Sequence, residues 1–177
     1  MRIVAGALCA LSLAGAAHAE VIASSPGGFH LRIVSEVAAP PERVWAALLY
    51  LPRWWNPSHT YSGDAANLSL DAKAGGCFCE RLPNGGSVLH ATIVQLRPGA
   101  LLRLSGGLGP LQGEGASATW TFTLKPSPTG TTLTQTMAVG GWSPTGLAAL
   151  AAAVDAVQSE QQARLKRYVE RGRADTR

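Results

Sequence analysis

Residues 39–45 read Ala39-Pro40-Pro41-Glu42-Arg43-Val44-Trp45, and the organisation of the chain unfolds from them. Just upstream, Phe29 to Ala38 alternates as a strand does, with Leu31, Ile33, Ser35 and Val37 on one face. The two prolines end that extended segment. Pro41 and Glu42 then open a helix, because proline is tolerated in the first turn and an acidic side chain complements the helix N-terminus. Val44, Trp45 and Leu48 fall at helical spacing on its inner side. Leu51-Pro52-Arg53-Trp54-Trp55 predicts a second short helix or turn. The loop after it, to Asn67, is too rich in Pro and Gly for regular structure and carries His59 and Tyr61.

Farther along, Leu68 to Leu70 fits a brief strand, and Gly75-Gly76 begins another that runs to Leu82. Pro83-Asn84-Gly85-Gly86 is a strong hairpin signal, and Val88 to Leu96 returns. Leu101 to Ser105, Ala116 to Lys125 and Thr131 to Val139 complete about six antiparallel strands with short connections. Between them, the segment from Gly106 to Gly113 lacks the Lys-Ser/Thr ending of a phosphate loop and reads as a wide turn. Leu147 to about Arg171 predicts one long helix, with an apolar stripe of Leu147, Leu150, Ala151, Val154, Val157, Leu165 and Tyr168. The strands cannot bury a face alone, and only this last helix is long enough to cover a curved sheet.

The two ends bear on location and charge. Met1-Arg2, the apolar run Ile3 to Ala16 and the small-x-small site Ala17-His18-Ala19 predict a cleavable export signal over residues 1–19, cut between Ala19 and Glu20. The apolar run is too short to span a bilayer, and Cys9 stands too near the start for a lipoprotein signal. The expected product is a single periplasmic or secreted domain, residues 20–177, with a basic C-terminal end from about 171. Six of the 15 basic residues lie from Arg164 to Arg177, whereas Glu20 to Ala163 holds eight basic and nine acidic residues. A near-neutral body is no footprint for nucleic acid, and cations at a helix end complement its dipole. Cys77 and Cys79 face an oxidising compartment. On one strand face, though, their spacing of ~6.5–7 Å is at the limit of disulfide geometry, so free, packed thiols are expected.

The order of these elements, the Ala-Pro-Pro-Glu-Arg-Val-Trp helix start, the Trp54-Trp55 pair and the Gly75-Gly76 strand entry resemble the START-like (SRPBCC) superfamily. Within it they resemble the polyketide-cyclase and heat-shock ATPase-activator-homologue group, over nearly all of residues 29–170. The resemblance implies an α+β helix-grip fold. A curved antiparallel sheet of about six to seven strands would wrap the C-terminal helix, with two short helices after the first strand and a cavity between sheet and helix. It implies carriers of lipids and hormones, cyclases, and partners of a chaperone. An export signal departs from the chaperone-activating relatives, which work where ATP is present.

Large aromatics beside a few polar groups suit the wall of an apolar cavity. The expected lining is Trp54, Trp55, Tyr61, Trp120 and the inner stripe of the last helix, with His59, Glu80 and His90 as polar anchors. Trp54 and Trp55 are adjacent and cannot both point into it. Glu80 and His90 face each other across the predicted hairpin in one of two registers. One pairs Glu80 with Leu89 and Cys79 with His90; the other sets Glu80 opposite His90. The second would make an acid–base pair for a cyclase- or dehydratase-type enzyme. The first could cluster Cys77, Cys79 and His90, but a fourth metal ligand is lacking, so neither metal nor cofactor is expected. The expected partner is a small, mostly apolar molecule. Alternatives are that enzyme, or a protein-interaction module docking through the basic end.

Overall fold

Strand β2 (Gly28–Val37) anchors the fold: Phe29, Leu31, Ile33, Ser35 and Val37 are all buried while the residues between them face outward. It is the second strand of an eight-stranded antiparallel sheet in a computed structural model describing residues 18–175. The expected leader lies outside the described residues except for the backbone of His18 and Ala19. The other strands are β1 (His18–Ser25), β3 (Leu68–Leu70), β4 (Cys77–Arg81), β5 (Ser87–Arg97), β6 (Leu101–Gly106), β7 (Gly115–Ser127) and β8 (Gly130–Trp142). Their order across the sheet is β1-β2-β8-β7-β6-β5-β4-β3. Consecutive hairpins therefore build one side, and β8 returns to pair with β2. The eighth strand is β1, in the segment where the sequence suggested a leader ending and no strand.

The chain crosses from β2 to the far edge through helix α1 (Pro41–Leu48) and three single 3-10 turns. Pro40 is extended (φ −66°, ψ 155°), and Pro41 stands in the first turn with Glu42 beside it, as the opening motif predicts. Gly75 turns with φ +79°, and a Cβ on Gly76 would lie 1.9 Å from the Asp71 carbonyl oxygen. Only glycine fits there, so the pair lets Gly75 and Gly76 bond both ways with Ile93 ahead of β4.

After β8, a 3-10 turn at Leu147–Leu150 runs into α2 (Ala151–Arg171), giving one continuous helical segment that Gly172 ends in the left-handed conformation (φ 74°). Leu147, Ala151, Val154 and Leu165 are buried as the stripe predicts. Its middle differs, because Gln158, Gln161 and Gln162 are buried as well. Each finds a partner for one end of its amide: Gln135 Nε2 donates to Gln158 (2.8 Å), Gln162 to Ser35 Oγ (2.9 Å), and the Asn56 amide to Gln161 (2.9 Å), while Gln161 Nε2 and Gln162 Oε1 are buried without one. These pin the helix to the sheet on one side and to the loop after Trp55 on the other. At its C-terminal end Glu170 accepts from the Ala38 amide (2.9 Å), and Lys166 reaches the Glu36 carbonyl.

The basic end is largely occupied within the fold. Arg164 pairs with Asp175 (2.7 Å) and donates to the Trp54 carbonyl (2.8 Å); Lys166 pairs with Glu170 (2.6 Å), and Arg167 donates to the Ala174 carbonyl (2.7 Å). That leaves Arg171 and Arg173 as the exposed cations among the described residues of this end. No helix among the described residues is long and apolar enough to cross a membrane.

Candidate ligand cavity

Along β4 the side chains alternate, so Phe78 and Glu80 point inward and Cys77 and Cys79 lie on the opposite side. The pairing with β5 is broken between Phe78 and Cys79: Phe78 stands opposite Ala91, but Cys79 stands opposite Leu89. His90 is the extra residue of a β-bulge, and both His90 and Ala91 are consequently buried. Glu80 lies opposite Val88, which is neither of the two registers expected from the hairpin turn. The bulge nevertheless turns the His90 ring back so that its Nε2 meets Glu80 Oε2 at 2.9 Å.

Cys77 and Cys79 form a disulfide, which corrects the expectation of free thiols. Their Cα atoms are 5.4 Å apart, closer than the extended-strand spacing and well within disulfide range. With the sulfurs joined and facing away from His90, the cluster imagined for a metal does not form, and no other His, Cys, Asp or Glu grouping suited to a metal occurs among the described residues.

Glu80 is 1% exposed and accepts three hydrogen bonds. The Ser62 amide donates to Oε1 at 2.5 Å, while the Tyr61 amide at 3.2 Å and His90 Nε2 both meet Oε2. Burial alone would raise its pKa. The donors from Ser62, Tyr61 and His90 outweigh that and hold the carboxyl below its ordinary value. It is a carboxylate at neutral pH, an acceptor only, so His90 Nε2 must carry the proton. His90 is held below its own ordinary pKa, first by burial, with Glu80 opposing. The ring is therefore neutral, its Nδ1 is a bare lone pair, and no protein group donates to that buried nitrogen. Glu80 positions the loop and the ring; His90 carries the available base.

His90 borders a cavity of about 450 Å³ between the sheet, the N-terminal half of α2 and two loops, whereas Glu80, expected in the lining, stands one hydrogen bond behind it. Trp55, Leu68, Phe78 and Met137 supply its inner wall, Leu150, Val154 and Val157 its helix side, and Leu108 to Leu111 one lip. The other lip is Ser58 to Tyr61. This size and this mixture of apolar wall and sparse polar groups are typical of small-molecule sites.

The expected lining residues divide. Trp55, His59, Tyr61 and His90 border the cavity. Trp54 does not: it is buried on the α1 side, with its Nε1 donating to the Ala47 carbonyl (2.9 Å). Trp120 also stands behind the cavity wall, its ring centroid 6.1 Å from Trp55 and 4.7 Å from Phe122. Both are core, because adjacent residues diverge and because β7 aims Trp120 at Trp55 and Phe122. Tyr61 stacks on His90 (centroids 5.9 Å apart, 24° between planes) and donates from its hydroxyl to the Gly109 carbonyl (3.0 Å), so it joins the two lips. His59 is braced at 3.2 Å by Glu160 of α2, and its carbonyl accepts from Trp55 Nε1 (3.0 Å). Arg103 turns away to Thr121 and Gln95. Asp155 is outside the cavity lining, with burial raising its pKa.

Leu68, Phe78, Leu111, Met137 and Gln158 border the cavity without having been singled out from the sequence. Strand alternation is the signal that finds Phe78 and Met137; Gln158 carries none, since a glutamine on an apolar stripe looks like a solvated flank.

The sequence matches the family described as polyketide cyclase / dehydrase and lipid transport over residues 29–170. Among curated proteins, none matches the chain. Among solved structures, an uncharacterised protein from Rhizobium leguminosarum is similar, with a TM-score of 0.61 at 21% identity over 88% of this chain and 98% of that one. A conserved Enterococcus faecalis protein of unknown function has a TM-score of 0.60 at 15% identity, covering 88% of this chain and 78% of its own. CalU16 from Micromonospora echinospora has a TM-score of 0.56 at 17% identity, over 90% of this chain and 86% of its own. At these identities the likeness speaks for the fold alone, the helix-grip arrangement of sheet and C-terminal helix. With the family matched over most of its length, the chain belongs to the START-like polyketide cyclase, dehydrase and lipid transport family.

Proposed function

We propose that this protein is exported and binds a small, mostly apolar molecule between its sheet and C-terminal helix. The observation that carries the reading is the 450 Å³ cavity walled by Trp55, Phe78, Met137 and the α2 stripe, with His90 and Gln158 its buried polar groups. The motif Ala17-His18-Ala19 supports export. Native mass spectrometry of the protein purified from the periplasm of its own host tests both parts. A co-purifying molecule released on unfolding, from a chain beginning at Glu20, is the expected result. A chain that retains residues 1–19 ends the export reading. An empty protein that also fails to take up apolar dyes ends the binding one.

A second reading is supported by one feature, the Glu80–His90 dyad. A neutral imidazole oriented by a buried carboxylate is a competent general base. Glu80 itself, ionised and fully occupied by donors, is unsuited to the acid role. In a cyclase or dehydratase of this kind His90 would take a proton from the bound molecule through Nδ1. Turnover lost in His90→Phe with binding retained is the outcome this reading expects.

A further inference from the structure

One side-chain donor in the cavity wall is not used by the protein. Leu150, Ala153, Val154, Val157 and Gln158 line the cavity from the last helical segment, at helical spacing on one face. Gln158 is the last of the five and the only polar one. It is 3% exposed, so the little surface it keeps lies on the cavity that it borders. Gln135 Nε2 donates to its Oε1 at 2.8 Å, which fixes the carboxamide and leaves Nε2 on the other branch. That nitrogen has no partner among the described residues, and it is not walled off as the unmatched Nε2 of Gln161 is.

The other polar side chains of the lining, exposed Ser58 apart, are committed elsewhere. His90 gives its Nε2 proton to Glu80, and its Nδ1 is enclosed. Tyr61 donates to the Gly109 carbonyl, Thr60 donates to the Pro57 carbonyl, and His59 faces Glu160. Among the described residues no lysine, arginine, aspartate or glutamate borders the cavity. A carboxylate or phosphate brought there loses hydration without a counter-ion in return. A wholly apolar ligand against Gln158 strands a buried N–H, whereas an acceptor oxygen on the ligand satisfies it.

We infer that Gln158 selects the ligand: an uncharged, mostly apolar molecule whose acceptor oxygen, such as a carbonyl, takes a hydrogen bond from Nε2. The inference rests on the cavity-binding reading above and narrows it to acceptor-bearing molecules over acids and bare hydrocarbons of the same frame. Gln135, on β8 and outside the lining, is a positioning residue. By occupying Oε1 it turns the N–H of Gln158, and not the carbonyl, toward the ligand.

The test is a matched series that displaces an apolar fluorescent dye from the full chain: 1-tetralone, tetralin, 1-tetralol and tetralin-1-carboxylate. The ketone is expected to bind on the order of tenfold more tightly than the hydrocarbon, the difference one hydrogen bond to a buried donor makes. The alcohol, which also accepts, should fall between them, and the acid should be weakest. Tetralin is the most apolar of the series, so hydrophobicity works against the expected order. Replacing both amides, Gln135→Leu with Gln158→Leu, leaves neither one unmatched and should abolish the ketone's advantage. A ketone no tighter than the hydrocarbon, or tightest binding of the acid, overturns the inference and leaves cavity binding standing. So does an alcohol that outbinds the ketone, the pattern expected if Gln158 donated to Gln135 and turned its carbonyl to the ligand. Failure of all four to displace the dye overturns both readings.

Because the double variant can disturb folding, a second measurement uses the unaltered chain. In NMR spectra, an Nε2 proton of Gln158 should lie downfield in the tetralone complex of its position in the tetralin complex. The same position in both complexes sinks the inference whatever the affinities.

Discussion

Replacing Glu80 by glutamine should unfold the loop that forms one lip of the cavity before it alters anything else. Glutamine has the same shape but one acceptor oxygen and one NH₂ group. If its oxygen takes the place of Oε2, serving Tyr61 and His90, the NH₂ faces the Ser62 amide that now lies 2.5 Å from Oε1. If the side chain is flipped, Ser62 is served, but the NH₂ faces the Tyr61 amide, and His90 must change tautomer to keep its contact. Either way one buried backbone N–H meets another donor. A hydrogen bond to a charged acceptor contributes about 1.5–3 kcal/mol, and an unsatisfied buried donor costs about 1–3 kcal/mol. These ranges overlap in what they count, so the expected loss is about 3 kcal/mol. For a domain of this size that corresponds to a fall in melting temperature of roughly 6–12 °C. Removing the charge also relieves burial of an ion, but the carboxyl sits below its ordinary pKa, so its donors more than offset that cost. The assay is urea unfolding at neutral pH with parallel thermal melts. A loss below about 1 kcal/mol would refute the reasoning, since it would mean that the three donors contribute no more than a surface contact does.

Acid should weaken the protein in two steps. Both His90 and Glu80 sit below their ordinary values of 6.5 and 4.5, so the unfolded chain binds protons first at each. Stability present at neutral pH is therefore lost as pH falls below about 6.5, and again below about 4.5. Asp155, raised by burial, runs the other way, contributing below its ordinary 3.8 and losing that as pH rises through its folded value. Urea midpoints measured from pH 8 to pH 3 should show the decline, and a midpoint flat from pH 7 to pH 5 would contradict the buried neutral His90. The Cys77–Cys79 bridge closes a very short loop, so Cys77→Ser with Cys79→Ser should cost only about 1–2 kcal/mol. Alkylation of the unreduced, unfolded chain should leave both cysteines unmodified; a labelled Cys77 or Cys79 would rule out the bridge. Trp55→Phe should weaken an apolar fluorescent probe several-fold, whereas Trp54→Phe should lose about 1–2 kcal/mol of stability, through its bond to Ala47, and leave the probe's affinity unchanged. The reverse pattern would mean that the two tryptophans have been assigned the wrong sides.

What could be read from the sequence was whatever is encoded locally. Pro40-Pro41-Glu42 marks a strand end and a helix start by backbone chemistry alone, and Phe29 to Val37 shows its buried face by alternation. Pro83 to Gly86 announces its hairpin. Strand β1 escaped because its residues abut a leader-like segment and only its pairing with β2 defines it. The His90 bulge escaped for a deeper reason: nothing in Ser87 to Ala91 distinguishes a residue that opposes a partner from one squeezed between two. Turn-based registers thus brought Glu80 and His90 to one neighbourhood but missed the geometry that joins them. The disulfide followed the same fate, since regular strand spacing puts it at the limit and only the shorter 5.4 Å Cα separation brings the two cysteines within easy reach. Gln158, Gln161 and Gln162 were illegible because their partners, Gln135, Ser35 and Asn56, lie far away in sequence.

Tyr61, Ser62 and His90 all hang on one carboxylate, and two of the three are backbone amides. Tyr61 and His90 border the cavity, but Ser62 is outside its lining. Its amide proton is therefore a remote gauge. Whatever draws on the His90 ring changes how much electron density Oε2 shares with its neighbours, and the Ser62 N–H on the twin oxygen registers the difference. A single resonance, from a residue that touches no ligand, would report when the cavity is filled.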